Sequence, residues 1–382
     1  VKAFLHIGIG KTATSSIQKC LDINSDVLES QGFRYPRAFA MGKGSQRSRQ
    51  LKLGAYARDD EILTDTRKVL KVKRADLPAF RASVEEDLAQ EVADLPAGVD
   101  ALVMSDEGLC NLAAPEELEL LRDLIATQCS DIKVVVYIRR QDQHSVSQHS
   151  QHIKAGRIGK KILRDTRVYQ YDALLDLWAE VFGAENIIPR VFERGHFVNG
   201  DVIDDFLHVC GMDPEAGFEK PGMLNESLSP VGEAFLMRLN ASFRKFEGED
   251  HNTARSIILG SLLELYAGKG LKPSRAAAEA FYERYANVNE RVRRRWFPGQ
   301  ESLFDMDFSS YPEEDQESAF SLDELMEVAA GLSQKISEDC VSLISENRKL
   351  KRKLVRHGLM SPKAAGLEDV GDGLGQARKL DA

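Results

Sequence analysis

The stretch Ala3-Phe4-Leu5-His6-Ile7-Gly8-Ile9-Gly10-Lys11-Thr12-Ala13-Thr14-Ser15-Ser16-Ile17-Gln18 decides how this chain is read. A mostly apolar run breaks into two glycines, a lysine and four hydroxyl residues. A strand that ends at small residues and turns straight into a helix leaves the first backbone N–H groups of that helix unpaired. They aim at one point, with the positive end of the helix dipole behind them. Lys11 adds a full positive charge, and Thr12, Thr14, Ser15 and Ser16 offer hydroxyls that can donate to the same oxygens. The composition is that of a cradle for phosphate or sulfate.

Gly10-Lys11-Thr12 also reads like the end of a nucleoside triphosphate P-loop, but the spacing fails. That motif needs a glycine five residues before Gly10, and the position is Leu5, inside the strand. It also needs a later apolar strand ending in an acid that holds magnesium. The best interior strand, Ile132-Lys133-Val134-Val135-Val136-Tyr137-Ile138, ends in Arg139 and Arg140. The loop therefore reads as built for an anion without a metal.

Strands and helices alternate along the chain, which predicts an α/β fold with a mostly parallel sheet covered by helices on both faces. A helix is expected from Thr14 to about Glu29, and residues 36–75 read as a long loop or lid with little core of its own. Phe80, Val84, Leu88 and Val92 recur every fourth position and mark a helix before the strand Ala101–Ser105. A helix from Pro115 to Gln128 leads into the Ile132–Ile138 strand, and Asp142 is the expected cap of the next helix. Leu174, Leu175, Trp178 and Phe182 form one apolar helix face, and Ile187–Phe192 reads as a strand whose Pro189 suggests an edge. Beyond Asp201 the pattern is largely helical, with segments near 229–246, 253–268 and 274–296.

The Lys11-Thr12-Ala13-Thr14-Ser15-Ser16 segment after a strand resembles the 5′-phosphosulfate loop of sulfotransferases that use 3′-phosphoadenosine 5′-phosphosulfate (PAPS). Their loop runs lysine, small residue, glycine, then threonine or serine twice. Here Ala13 stands at the glycine position, and Ser16 stands where many animal cytosolic members have tryptophan; bacterial members with a His-Ile-Gly-x-x-Lys-Thr opening are more similar. A second signature of that family is an arginine ending an interior strand and a serine eight positions later, and Arg139 and Ser147 have this spacing. The ending Ser105-Asp106-Glu107, the segment Asn225–Pro230 and the segment Trp296–Phe304 also look similar to bacterial members. The resemblance spans about residues 1–310. It implies a PAPS donor gripped by Lys11, Thr12, Ala13, Thr14, Ser15 and Ser16 at its sulfated end and by Arg139 and Ser147 at its 3′-phosphate. It further implies a sulfotransferase-like, P-loop-like fold and a hydroxyl or amine acceptor, taken here as a saccharide.

Sulfuryl transfer needs positive groups where charge develops and a base within reach of the acceptor hydroxyl. The first role falls to Lys11. For the second the resemblance implies a histidine or a glutamate, and Glu107, just past a central strand, is the first choice. His6, His144, His149 and His152 are its rivals, His6 reading as a packed core residue. His149 and His152 share a helix face, but no third ligand accompanies them with metal-site spacing, so no metal is expected.

The sequence has 382 residues, with 51 Lys and Arg against 60 Asp and Glu, for a formal net charge of −9. That balance argues against a nucleic-acid partner, which needs a basic footprint. Local basic clusters at Lys43–Arg49 and Arg291–Arg295 could line an approach path for an anionic saccharide or simply be solvated. The five cysteines are scattered without Cys-x-x-Cys pairing, and the sequence shows neither a leader-like segment nor an apolar run of membrane-spanning length. The expectation is a cytoplasmic protein with reduced thiols.

From Leu322 to Leu354 apolar residues follow steps of three and four, with an extra step of four between Ile336 and Cys340 and Asn347 at an a position. That is a heptad pattern with a stutter, fitting either a homodimeric coil or a helix lying on its own domain. The expected organisation is a catalytic domain over 1–310, a coiled-coil-like helical extension over 311–360 and a disordered tail over 361–382. Two other function classes stay open: a nucleotide-dependent kinase with a variant P-loop, and a catalytically inactive nucleotide-binding assembly protein.

Overall fold

The structure, a computed structural model, describes residues 1–40, 48–62, 64–159, 161–222, 227–247, 250–316, 320–361 and 364–365. In chain order the main elements begin with β1 (Lys2–His6), α1 (Thr14–Ile23), α2 (Ser25–Ser30) and β2 (Phe33–Arg34). Then come α3 (Lys52–Ala57), α4 (Asp65–Val69), α5 (Leu77–Ala93), β3 (Ala101–Ser105), α6 (Pro115–Ala126) and β4 (Asp131–Ile138). They continue through α7 (Gln141–Lys154), α8 (Tyr171–Phe182), β5 (Ile187–Val191), α9 (Val202–Val209), α10 (Pro230–Ser242) and α11 (Thr253–Leu265). The last are α12 (Arg275–Glu283), α13 (Ala286–Trp296) and α14 (Leu322–Arg356). No helix among the described residues is long and apolar enough to cross a membrane.

The chain divides into two compact units. The first, residues 1–153, 159–227 and 270–317, holds a five-stranded sheet of order β2-β3-β1-β4-β5 in which every pair is parallel. Successive side chains of a strand point to opposite faces. On β4, Val134, Val136 and Ile138 enter one core with Leu5, Leu102, Leu121, Leu175 and Trp178. Val135 and Tyr137 enter another with Ile17, Leu21, Ile203 and Phe206. Helices α5, α6 and α8 therefore cover one face, and α1 and α9 the other. Each fully buried aliphatic side chain contributes about 1.5–3 kcal/mol, and the sheet has no solvated face left. The α/β class and the parallel sheet agree with the sequence, and β5, with Pro189, is an edge strand.

Several local expectations need correction. The first helix breaks at Asn24, whose Nδ2 donates to the Cys20 and Glu219 carbonyls, each at 2.8 Å, so the side chain competes with the helical ladder. The segment 36–75 is not a coreless lid: its residues 41–47 and Leu63 lie outside the described residues, but Phe39, Leu53, Ala55 and Tyr56 are buried. The buried Arg67 guanidinium ties its turns together by donating to the carbonyls of Ala55, Asp59 and Ile62. The stretch 274–296 is two helices, α12 and α13. Asp142 is no exposed cap. It lies within α7, buried, gripping Arg140 at 2.9 and 3.0 Å and accepting from Tyr311.

The second unit, residues 154–158, 228–269 and 318–382, contains α10, α11 and α14. Residues 228–269, grouped by the sequence with 1–310, thus share a unit with the C-terminal helix. Val328 and Leu332 of α14 are buried, and Gly331 brings the helix close to Tyr266, whose Oη would lie 3.0 Å from an added Cβ. Of the tail expected to be disordered, residues 362–363 and 366–382 lie outside the described residues.

The Arg140–Asp142 pair is almost wholly buried, and Arg140 also donates to the carbonyls of Asp305 and Asp307. Removing one charge strands the other in a medium of low polarity. Asp142→Ala should cost about 3–5 kcal/mol, and the double variant Arg140→Met/Asp142→Leu should recover part of it, as measured by urea denaturation.

Candidate functional site

β1 lies between β3 and β4 in parallel register, with His6 beside Ser105 on one side and Val135 on the other. The carboxyl ends of three adjacent strands therefore meet. They deliver the Gly8–Ser16 loop, the Asp106–Gly108 turn and Arg139 to the crevice where open α/β sheets hold ligands. Gly8, at φ +99°, is required here: a Cβ would sit 3.2 Å from the Gly10 nitrogen and 3.3 Å from the Glu107 Cα.

Ala13 takes the N-cap position of α1 in a left-handed conformation (φ 60°, ψ 20°) and contributes no side-chain cap, and no acid stands in the first turn. The amides of Thr14 and Ser15 open the helix, where no earlier helical carbonyl can accept them. Lys11 is also left-handed at φ 65°. Two of the hydroxyls expected to face the ligand point elsewhere. Thr12 is fully buried and donates to the Ile9 carbonyl at 2.6 Å, and Thr14 donates to the same oxygen at 3.4 Å. Their hydroxyls hold the loop closed, which leaves Ser15, exposed, and Ser16, half-buried, as the accessible pair.

Arg139 and the loop are joined directly: its guanidinium donates to the Lys11 carbonyl at 2.9 Å and lies 5.3 Å from the Phe192 ring centre. Its Nε is buried without a partner, and Tyr171 fixes its backbone by donating to the Arg139 carbonyl at 2.6 Å. Below it, His144 bonds the Gly10 carbonyl through Nε2 at 2.8 Å and Tyr169 through Nδ1 at 2.9 Å. A carbonyl accepts only, so Nε2 carries the proton and Tyr169 donates to Nδ1. Burial, with the nearby Arg139 charge adding to it, pushes the His144 pKa down to about 3, so the ring stays neutral. Ser147 sits three residues further along α7, half-buried and on the same face.

Glu107 projects over the loop, its carboxylate 3.8 Å from where a Cβ on Gly10 would lie, and pairs with Arg49 at 3.6 Å. The pocket beside it, about 270 Å³, is lined by Gly10, Arg49, Thr66, Glu107, Gln148 and Thr166 among others. The neighbouring Asp106 does a different job. It is buried and accepts the N–H groups of Gly54 at 3.0 Å and Gly108 at 2.8 Å, tying α3 to the end of β3. Burial raises its pKa to about 6.

Lys11, Glu107 and Arg139 thus follow three adjacent strand ends, Arg139 bonded to the Lys11 carbonyl and Glu107 lying over Gly10, and Ser147 stands on the helix that begins beside Arg139. The rival histidines His6, His144 and His149 are buried, and burial lowers the pKa of His6 to about 3 and that of His149 to about 4. His6 bonds Ser105 Oγ at 2.8 Å inside the core. Among the described residues no group of three or more His, Cys, Asp or Glu side chains could hold a metal. The Arg291–Arg295 cluster is taken up by acids: Arg291 pairs with Asp172, Arg293 and Arg294 with Glu290, and Arg295 with Asp176. Lys43, Arg47, Asn225 and Glu226 lie outside the described residues. The loop-holding roles of His144, Asp106 and Gln50, whose Oε1 accepts the Ser105 N–H at 2.7 Å, had no signal in sequence spacing.

No family model matches the chain. It is 29% identical over 223 residues to an uncharacterized protein of Archaeoglobus fulgidus, a match covering 56% of this chain. The chain spans 59% of the length of that relative. Among solved structures it is similar to the crystal structure of a sulfotransferase from Alicyclobacillus acidocaldarius, at a TM-score of 0.34 and 15% identity. That match covers 63% of this chain and 92% of the other.

Two stability experiments follow from this geometry. Ala13→Gly relieves a left-handed alanine and should stabilise the fold by about 0.5–1 kcal/mol in chemical denaturation, net of the entropy glycine adds to the unfolded chain. Asp106 binds its proton more tightly folded than unfolded, so its contribution to stability is full below pH 4 and is lost as pH rises through about 6. The stability of wild type relative to Asp106→Asn should fall by on the order of 3 kcal/mol from pH 4 to pH 7, read from urea midpoints.

Proposed function

We propose that this chain is a PAPS-dependent sulfotransferase acting on a hydroxyl or amine, with a saccharide as acceptor. One observation carries the reading: the adjacent ends of β1, β3 and β4 carry an uncapped helix start after Lys11, the Arg139 guanidinium bonded to the Lys11 carbonyl, and the Glu107 carboxylate over Gly10. The residues fit a doubly anionic nucleotide, because α1 opens without an acid or a side-chain cap and Arg139 Nε is buried unpaired. When bound, PAPS supplies an activated sulfonate on a phosphate leaving group.

In this reading the backbone N–H groups of Ala13, Thr14 and Ser15 and the hydroxyls of Ser15 and Ser16 grip the sulfated end. Thr12 keeps the loop in shape, and Arg139 with Ser147 grips the 3′-phosphate. Lys11 meets the negative charge that grows on the leaving oxygen. Glu107 takes the proton from the acceptor hydroxyl, and Arg49 orients its carboxylate. The polar lining of Arg49, Thr66, Asn111, Gln148 and Thr166 suits a ligand rich in hydroxyls. A magnesium-dependent kinase would need a free carboxylate at the strand end beside β1; Asp106 there spends both oxygens on Gly54 and Gly108, and Glu107 is paired with Arg49.

Calorimetry should detect adenosine 3′,5′-bisphosphate binding, and labelled sulfate should pass from PAPS to one of a panel of saccharides. Binding of magnesium–ATP in place of the bisphosphate would overturn the assignment. Binding without transfer to any acceptor would leave the inactive assembly protein as the better reading. Glu107→Gln should lower kcat by about a hundred- to ten-thousand-fold with bisphosphate affinity unchanged. Lys11→Ala should abolish most transfer without unfolding the chain. Arg139→Ala should weaken the bisphosphate about ten- to hundred-fold while affecting adenosine 5′-phosphosulfate, which lacks the 3′-phosphate, much less.

A further inference from the structure

From Cys340 to Leu350 the helix α14 is exposed at every residue, while Lys351, Leu354 and Val355 beyond it are half-buried. Its first half is anchored in the second unit by the buried Val328 and Leu332 and by Lys335, which pairs with Glu264 at 2.8 Å. Every residue from Val341 to Leu350 is exposed, among them Val341, Leu343, Ile344 and Leu350. Eleven residues separate Leu332 from Leu343, close to three full turns, so the face that is buried early in the helix continues uncovered. A helix segment of this length gains too little from propensity alone to stand free in water, and its apolar face needs a cover.

The sequence of that face says what covers it. Cys340, Leu343, Asn347, Leu350 and Leu354 repeat as a, d, a, d, a. In a parallel pair the two Asn347 side chains meet and bond each other, whereas in an antiparallel pair each would face a leucine. The flanking charges agree. Glu346 falls at g and Lys351 at e, so a parallel partner sets Glu346 against the partner's Lys351, and the contact occurs twice by symmetry. We propose that α14 pairs through the face from Cys340 to Leu354 with α14 of a second copy of this chain, as a parallel, in-register two-stranded coiled coil.

The arrangement sets Cys340 beside the partner's Cys340. It is the one exposed cysteine, since Cys20, Cys110, Cys129 and Cys210 are buried. The full chain should therefore sediment as a dimer across the micromolar range, and a short bis-maleimide should link it covalently, with the linkage lost in Cys340→Ser. Leu343→Glu/Leu350→Glu alters only exposed positions and should yield a monomer that keeps the near-ultraviolet circular dichroism of the wild type. A monomeric wild type, a trimer, a dimer that resists cross-linking at Cys340, or a dimer that survives the double substitution would each overturn the proposal. Retained thermal stability in the double variant keeps the outcome separate from misfolding.

Discussion

The constraint on which the molecule turns is that β1 hydrogen-bonds to β3 on one edge and β4 on the other, all three running the same way. A parallel sheet needs a crossover between neighbouring strands, and here the crossovers bury both faces under helices. Polar side chains buried against such a sheet must find partners there, as Gln18 of α1 and His6, the last residue of β1, do at Ser105. Just past the carboxyl ends Asp106 and Arg140 meet the same demand inside the fold, while Glu107 is half-exposed. The Arg139 contact to the Lys11 carbonyl then ties two of those ends together.

That constraint also explains what could be read from the sequence. A strand buried on both faces is a continuous apolar run, and Ala101–Ser105 and Ile132–Ile138 were legible for that reason, the first with identical bounds and the second within one residue. Helices α5 and α8 were legible from their apolar spacing. β2, two residues long, has no period to read. The segment 48–70 is held by hydrogen bonds that follow no helix or strand period, from Arg67 to the carbonyls of Ala55, Arg58, Asp59 and Ile62 and from the Gly54 N–H to Asp106, and pattern reading has no access to such pairs. The breaks at Asn24 and before α13 belong to the same class, the second marked by Tyr285 reaching Asp165 at 2.6 Å.

In the site, residues whose meaning is local were legible and residues whose meaning is tertiary were not. Lys11 and Arg139 sit at strand-to-helix junctions, which sequence alone can locate. Of the histidines that rivalled Glu107, the first choice, burial sets His6, His144 and His149 apart, while His152 is half-buried. A ring that burial keeps neutral and that already bonds the Gly10 carbonyl stiffens the loop, while the half-exposed Glu107 faces the pocket. Thr12 shows the converse error, since a hydroxyl read as a ligand donor spends its proton on the turn that carries it.

A net charge of −9 does not by itself keep an anion from the α1 start, because the relevant field is local. At physiological salt, charges more than about 8 Å away through solvent are largely screened, so the acids that set the net charge matter little at the loop. Many of those acids are committed elsewhere, as Asp172, Asp176 and Glu290 are to the α13 arginines. What faces the crevice from α1 is a row of backbone amides with no acid in the first turn, backed by Lys11 and Arg139. The nearest carboxylate, Glu107, is held in part by Arg49, so the charge that would repel an incoming anion is offset where it stands.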